Sequence, residues 1–212
     1  GSNWGGTAAD PKLGYLFINT SEGGSIGFTE QRKVGGDYGR GTQGSTQPYD
    51  RASLSGPGAY TSFRASYQDA HGRSITLPCI RPPWGRLYAI NARTGEIAWE
   101  SRLGVSDELP EGKRDTGRLN IFGGPIVTAG GLVFIGATDD RRFRAFDSRS
   151  GRELWSATLK YNAQSVPITY RGRDGRQYVA VVAAGWSDGA SGGGQGAAPA
   201  DNESLVVFAL PK

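Results

Sequence analysis

The feature that most constrains the fold of this chain is an internal repeat. Residues 85–103 (GRLYAINARTGEIAWESRL) and 141–159 (RRFRAFDSRSGRELWSATL) begin 56 positions apart, and their turns and tryptophans align. Ten positions separate Ala89 from Trp99 in the first copy, and the same ten separate Ala145 from Trp155 in the second. Self-similarity of this kind is typical of architectures that stack one supersecondary unit, because each unit buries its apolar face only against its neighbours.

Each copy has the pattern of a β-hairpin. Apolar and polar positions alternate before the turn, Asn91 to Gly95 forms the turn, and Ile97 begins the next strand. Further hairpins of the same kind lie outside the repeat. One has its turn at Gly130-Gly131 and another has its turn at Asp174-Gly175. A tryptophan at a fixed offset past the turn is expected to pack on the face of the neighbouring unit.

The composition favours an all-β protein and excludes several other classes. Glycine accounts for 34 of 212 residues, methionine is absent, and few stretches have helical apolar spacing. The net charge of +4 comes from scattered residues, so we expect no nucleic-acid partner. The sequence contains no run of 18 apolar residues, so it predicts no membrane span. Cys79 is the only cysteine and cannot form a disulfide within this chain.

These hairpins combine into about three four-stranded units. The first covers residues 4–103 with an irregular but ordered insertion over 21–81, in which tyrosine and phenylalanine side chains are expected to pack. The second covers 123–159, and the third covers 165–210 with a flexible Gly- and Ala-rich loop over 185–203. Four-stranded units of this kind are the blades of a β-propeller, and a propeller typically needs four to eight blades to close. The sequence therefore predicts that residues 1–212 are one C-terminal part of a larger domain.

Several motifs, in order, carry a family resemblance. They are Asn3-Trp4-Gly5-Gly6, the segment from Leu77 to Gly85, the run from Phe122 to Asp140, and the closing stretches 164–170, 178–185 and 206–211. Together they resemble the C-terminal blades of quinoprotein dehydrogenases that use pyrroloquinoline quinone (PQQ), of the membrane-bound glucose and quinate type. The resemblance implies an all-β, eight-bladed β-propeller whose blades dock through tryptophans, and this chain would hold about three of those blades.

The same resemblance implies a periplasmic enzyme, possessing PQQ and Ca²⁺, that oxidises a sugar, a polyol or another alcohol. Electrons would pass to a quinone or another acceptor, and an N-terminal region outside this chain would associate it with a membrane. The catalytic base and the metal ligands would lie in earlier blades, in the N-terminal remainder of the propeller. No catalytic residue or metal ligand is therefore assigned to this chain.

Five residues are candidates for contact with the cofactor. By resemblance, the amide of Asn3 would hydrogen-bond the quinone, and Trp4 follows it in the same motif. Phe122 takes the place of an apolar residue beside the ring. Gly185 and Trp186 stand at the central end of the last blade, where glucose-oxidising relatives have Gly-Gly-His, so the substrate stays open.

Other residues have structural interpretations. Trp99 and Trp155 are expected to be docking residues, Cys79 a buried thiol, and His71 a loop residue without a metal partner. The charged run Asp139 to Arg144 is expected to be a solvated turn. The alternative function is a cofactor-free propeller that acts as a protein-binding scaffold; the Asn3 and Phe122 motifs favour the enzyme.

Replacing Asn3 by alanine in the longer protein that contains this chain should weaken PQQ binding and lower turnover, because a donor and acceptor to the quinone would be lost. Titration of PQQ into the apo-protein measures the affinity. Unchanged affinity and turnover would contradict the assignment.

Overall fold

A computed structural model describes residues 5–31, 49–53, 56–57, 61–68, 72, 74–118, 123–184 and 203–209. Every regular element in these ranges is a β-strand, and none of them contains a helix that could cross a membrane. The chain divides into two compact units: residues 1–22 with 82–212, and the inserted residues 23–81.

The strands are numbered in chain order. They are β1 (Ala8–Asp10), β2 (Tyr15–Ser21), β3 (Ser25–Ile26), β4 (Phe28–Gln31), β5 (Tyr49–Ser53), β6 (Gly56–Pro57), β7 (Thr61–Ser62), β8 (Arg64–Gln68), β9 (Ser74–Pro78), β10 (Gly85–Asn91), β11 (Ile97–Arg102), β12 (Ile126–Val127), β13 (Leu132–Ile135), β14 (Arg142–Asp147), β15 (Glu153–Thr158), β16 (Ile168–Arg171), β17 (Gln177–Ala184) and β18 (Glu203–Ala209).

The first unit contains three antiparallel sheets. The first sheet has the order β1-β2-β10-β11, the second β12-β13-β14-β15, and the third β16-β17-β18. Along the chain, the insertion separates β2 from β10. These two strands nevertheless pair directly, from Gly85 opposite Ser21 to Asn91 opposite Tyr15. The hairpin is therefore continuous although residues 22–84 lie between its strands, and 59 of these, 23–81, form the inserted unit.

The inserted unit is more regular than its sequence predicts. It contains three small sheets, β3-β7, β4-β5-β6 and β8-β9, where an irregular segment was expected. Tyr49 and Phe63 are exposed, so the expected aromatic packing is not found for these two residues. Cys79 is also exposed and free, which corrects the expectation of a buried thiol. These strands have only two to five residues, and the pairing of β3 with β7 joins residues as far apart as Ser25 and Ser62, so the local pattern did not reveal them.

One turn geometry occurs in both copies of the repeat and once more near the N-terminus. The carboxamide or carboxylate oxygen of Asp10, Asn91 and Asp147 accepts hydrogen bonds from the amides two and three residues later. The turns close with Gly14, Gly95 and Gly151, which have φ between 68° and 76°. An Asx side chain replaces a backbone acceptor in such turns, and glycine adopts the positive φ without a Cβ penalty.

The cores lie between successive sheets. Phe17, Leu87 and Ala89 of the first sheet pack with Val133, Ile135 and Phe146 of the second, and all six are at most 1% exposed. The other face of the second sheet, through Phe143, packs with Val179, Val181 and Ala183 of the third. Each large side chain buried in this way contributes about 1.5–3 kcal/mol, so the sheets stabilise each other in series.

The two repeated tryptophans both reach the next sheet. The indole N–H of Trp99 donates to the carbonyl of Ser148 over 3.0 Å, and the Ser101 hydroxyl donates to the carbonyl of Gly151 over 2.5 Å. Trp155 meets Phe208 of the third sheet edge to face, with ring centroids 5.0 Å apart. Tryptophan at this offset therefore connects each sheet to its successor.

Gly151 and Gly95 give a matched pair of substitutions. Both have positive φ, but a Cβ at Gly95 would meet open space, whereas one at Gly151 would collide with the Trp99 ring and lie 2.6 Å from the Ser101 hydroxyl. We expect Gly95→Ala to lower the free energy of unfolding by about 1 kcal/mol and Gly151→Ala by roughly 2–4 kcal/mol. Chemical denaturation measures both, and equal losses would contradict the packing of Trp99 on this turn.

Candidate functional site

The five residues predicted to contact a cofactor all lie outside the described residues. They are Asn3, Trp4, Phe122, Gly185 and Trp186. Their roles therefore stay predictions. The structure does describe the residues next to them in the chain, which are Gly5, Gly123 and Ala184.

The residues that follow Trp4 and Phe122 touch each other. A Cβ added to Gly5 would overlap the carbonyl group of Gly123, and one added to Gly124 would overlap the carbonyl group of Gly5. The two main chains are thus in direct contact where the first and second sheets begin. Only glycine permits this approach, so Gly5 and Gly124, one from each sequence motif, have a common steric cause.

The third predicted segment is joined to the same place through the start of the third sheet. A Cβ on Gly123 would lie 3.0 Å from the carbonyl oxygen of Gln164. The amide of Ala184, the last described residue before Gly185, donates to the carbonyl of Asn162 over 2.9 Å. We call Gly5, Gly123, Gly124, Asn162, Ala163, Gln164 and Ala184 the junction row. The junction row brings the described flanks of all three predicted segments into one continuous chain of contacts.

Asn19 adds a polar side chain to the junction row. Its side chain lies in β2, is 3% exposed, and donates its amide N–H to the carbonyl of Gly123 over 3.3 Å. The sequence analysis did not single out this residue. The available signal was an asparagine two positions after Phe17 in an alternating strand, on the side that the apolar residues define as inward.

The charged run Asp139 to Arg144 is not a solvated turn. It does turn, with left-handed backbone at Ala137 (φ 55°) and Arg141 (φ 57°), but Asp139 is 4% and Arg144 1% exposed. Asp140 forms a buried ion pair with Arg144 and also accepts from the Thr138 hydroxyl and the Val105 amide. The expectation of solvation failed because buried partners supply what water would otherwise provide.

A second buried ion pair lies beside the first. The Arg118 guanidinium donates from Nε to Asp139 over 2.5 Å, and it also pairs with Glu108. Burial lowers the pKa of Arg118, but Asp139 and Glu108 outweigh it and raise the pKa above the usual value. Arg118 therefore stays charged. Its ion pair with Asp139 connects the end of the described segment 74–118 to the turn at Asp139.

Electrostatics give Asp140 a low pKa. Burial raises the pKa of this carboxyl. The charge of Arg144 and the hydrogen bonds from Arg144, Thr138 and Val105 lower the pKa by more than burial raises it, so the net shift is downward. Asp140 is thus an ionised, fully engaged partner. Such a carboxylate has no free lone pair directed at a substrate and is unsuited to act as a general base.

The junction row itself is uncharged. The segments 5–9, 123–138 and 161–168 contain no acidic or basic residue, and the adjacent Asp139 and Asp140 are neutralised by Arg118 and Arg144. Within the described ranges no group of three His, Cys, Asp or Glu side chains could hold a metal ion, and His71 lies outside those ranges. The described part of the junction row therefore contains no unpaired carboxylate.

Comparison with known proteins shows what the whole chain is similar to. The family model for the PQQ β-propeller domain of glucose, ethanol and alcohol dehydrogenases matches residues 1–179. The quinate/shikimate dehydrogenase (quinone) of Acinetobacter baylyi is 33% identical over 100% of this chain, which spans 26% of that relative. The 1-butanol dehydrogenase (cytochrome c) of Thauera butanivorans is 52% identical over 51% of this chain and 13% of its own length.

A solved structure shows the same fold. The quinohemoprotein alcohol dehydrogenase from Comamonas testosteroni superposes with a TM-score of 0.54 at 22% identity, over 86% of this chain and 22% of that one. The predicted fold class, an all-β propeller, is confirmed by this match and by the family model. The predicted relationship to quinate and glucose quinoprotein dehydrogenases is confirmed as well.

Removing the charge of Asp140 should destabilise the protein strongly. Asp140→Asn leaves Arg144 buried with only the half-exposed Glu153 as a counter-charge, and we expect a loss of roughly 3 kcal/mol in the free energy of unfolding at neutral pH. Asp107→Asn is the matched control, because Asp107 also pairs with an arginine, Arg142, but is 56% exposed. The control should lose about 1 kcal/mol or less.

The pH dependence has a definite sign. Since the folded pKa of Asp140 is depressed, its contribution is complete above the unfolded value of about 3.9 and is lost as the pH falls through the lower folded value. The advantage of the wild type over Asp140→Asn should therefore shrink below about pH 4. Equal losses for Asp140→Asn and Asp107→Asn at neutral pH would refute the buried pair.

Proposed function

This chain belongs to the PQQ β-propeller family of glucose, ethanol and alcohol dehydrogenases, and we propose that it is the C-terminal portion of a PQQ- and calcium-dependent dehydrogenase. The complete enzyme would oxidise a sugar, a polyol or another alcohol to the carbonyl compound or lactone. Its electrons would pass to a quinone or another acceptor.

The junction row is the observation that carries this proposal. Asn3-Trp4, Phe122 and Gly185-Trp186 come from three separate parts of the sequence, and their described neighbours Gly5, Gly123 and Ala184 belong to one row of contacts. A row lined by main chain and free of unpaired charge suits a flat quinone that carries carboxylates. A site assembled from several segments is also what a cofactor at the centre of a propeller requires.

PQQ would supply the redox chemistry, and the residues of this chain would bind and orient it. The amide of Asn3 would hydrogen-bond the quinone, and Phe122 and Trp186 would border its ring and exclude water. Trp4 and Gly185 would complete the wall beside them. The calcium ligands and the catalytic base are assigned to the remainder of the protein, because Asp139 and Asp140 are already engaged by Arg118 and Arg144.

The remainder of the propeller is the proposed partner of the third sheet. The first two sheets each have an apolar face covered by the next sheet, but the corresponding face of the third sheet is open. Ile168 is 61% and Leu205 68% exposed, and the same face carries Val166, Tyr170, Val182 and Val207. The relatives support this partner, because the chain spans 26% of the quinate/shikimate dehydrogenase.

Substrate and acceptor are proposed only by class. The names of the relatives include quinate/shikimate with a quinone and 1-butanol with a cytochrome c. A periplasmic location, with membrane association through a region outside this chain, follows from the proposed PQQ chemistry and quinone acceptor. The sequence Gly185-Trp186-Ser187, which follows β17 in the chain, favours a substrate other than glucose.

The complete apo-protein should bind PQQ with Ca²⁺ and then reduce a redox dye when given an alcohol. Native mass spectrometry measures the added mass, and a panel of glucose, quinate, glycerol and 1-butanol identifies the substrate class. Chelation of calcium should abolish turnover, and calcium with PQQ should restore it. A complete protein that takes up no PQQ would instead support the cofactor-free scaffold.

A further inference from the structure

Asn19 is a buried polar residue in an otherwise apolar interface. It shares its face of the first sheet with Phe17 and stands directly opposite Leu87, and these two neighbours are fully buried. Burying an amide among such side chains is costly unless the amide is hydrogen-bonded. Its N–H meets this cost by donating to the carbonyl of Gly123.

The Gly123 carbonyl is fixed from two sides. Asn19 donates to its oxygen from the first sheet, and the main chain of Gly5 packs directly against the same carbonyl group. Gly123 has φ 94°, so its peptide planes are not held by a regular strand conformation. These two contacts therefore help to set the orientation of the peptide between Gly123 and Gly124.

We propose that Asn19 is a positioning residue for the cofactor site: by holding the Gly123 carbonyl it sets the placement of the junction row. This inference rests on the proposed function. Without the amide, the buried carbonyl has lost its donor, and the peptide reorients to find another. Because the main chain of Gly5 packs against that carbonyl, a reoriented Gly123 peptide would also displace Gly5.

The rival interpretation is that Asn19 only strengthens the contact between the first and second sheets. Ser101 distinguishes the two, since its hydroxyl also donates across this interface, to Gly151, and it too stands opposite Leu87. Asn19 and Ser101 thus belong to one cross-strand row, with β10 between them, about 10 Å apart. Ser101 contacts the turn at Gly151 and not the junction row.

The test compares Asn19→Leu with Ser101→Ala in the complete protein. Leucine has the same number and branching of side-chain heavy atoms as asparagine, although it is larger, and it removes the donor. For each variant, the melting temperature of the apo-protein and the equilibrium Kd for PQQ in the presence of calcium are measured. We expect comparable melting temperatures, a Kd raised about tenfold in Asn19→Leu, and an unchanged Kd in Ser101→Ala.

The outcomes separate the two levels of inference. An unchanged Kd in Asn19→Leu, or an equal rise in Ser101→Ala, would overturn the positioning role while the proposed function stands. A wild-type protein that does not bind PQQ would overturn the proposed function itself. Asn19→Ala provides the same comparison if the leucine variant does not fold.

Discussion

Face-to-face packing of successive sheets is the interaction on which the rest of this structure depends. Phe17, Leu87 and Ala89 bury their surface against Val133, Ile135 and Phe146, and the next interface uses the opposite face of the second sheet. Both core clusters of the described residues lie between two sheets, so burial of apolar area stabilises each of these sheets only when its neighbour is present. The tryptophan of each repeat and its turn then fix the lateral position of one sheet on the next.

This packing has a direct consequence for the site. When the apolar faces meet, the starts of the three sheets converge, and at Gly5 and Gly123 the main chains come closer than any Cβ would allow. The junction row is therefore formed largely by main-chain groups. Its precision depends on contacts such as that of Asn19 with Gly123, made by strands whose main task is to form the core.

The buried charges have a separate role. Arg118 with Asp139, and the Val105 amide with Asp140, connect the segment after β11 to the turn before β14, and Arg144 of β14 neutralises Asp140. Buried pairs of this kind add little net stability relative to apolar packing, but they define the pairing of segments, because a misplaced partner leaves a bare charge. They keep the run from 139 to 144 compact and leave the junction row without charge.

The sequence by itself determined the local features and the family. Hairpins, Asx-glycine turns and the spacing of Trp99 and Trp155 follow from neighbours in the chain, and ordered motifs such as Asn3-Trp4-Gly5-Gly6 identify the relationship.

Only the tertiary structure decided which polar groups are buried. Asp139 is a solvated turn residue by local pattern, yet it is buried by Arg118, 21 positions away. Likewise, Asn19 meets Gly123 across 104 positions, and in the insertion β3 pairs with β7 although 37 positions separate Ser25 from Ser62. Burial and pairing depend on residues distant in sequence, and a local pattern carries no information about which distant segment arrives.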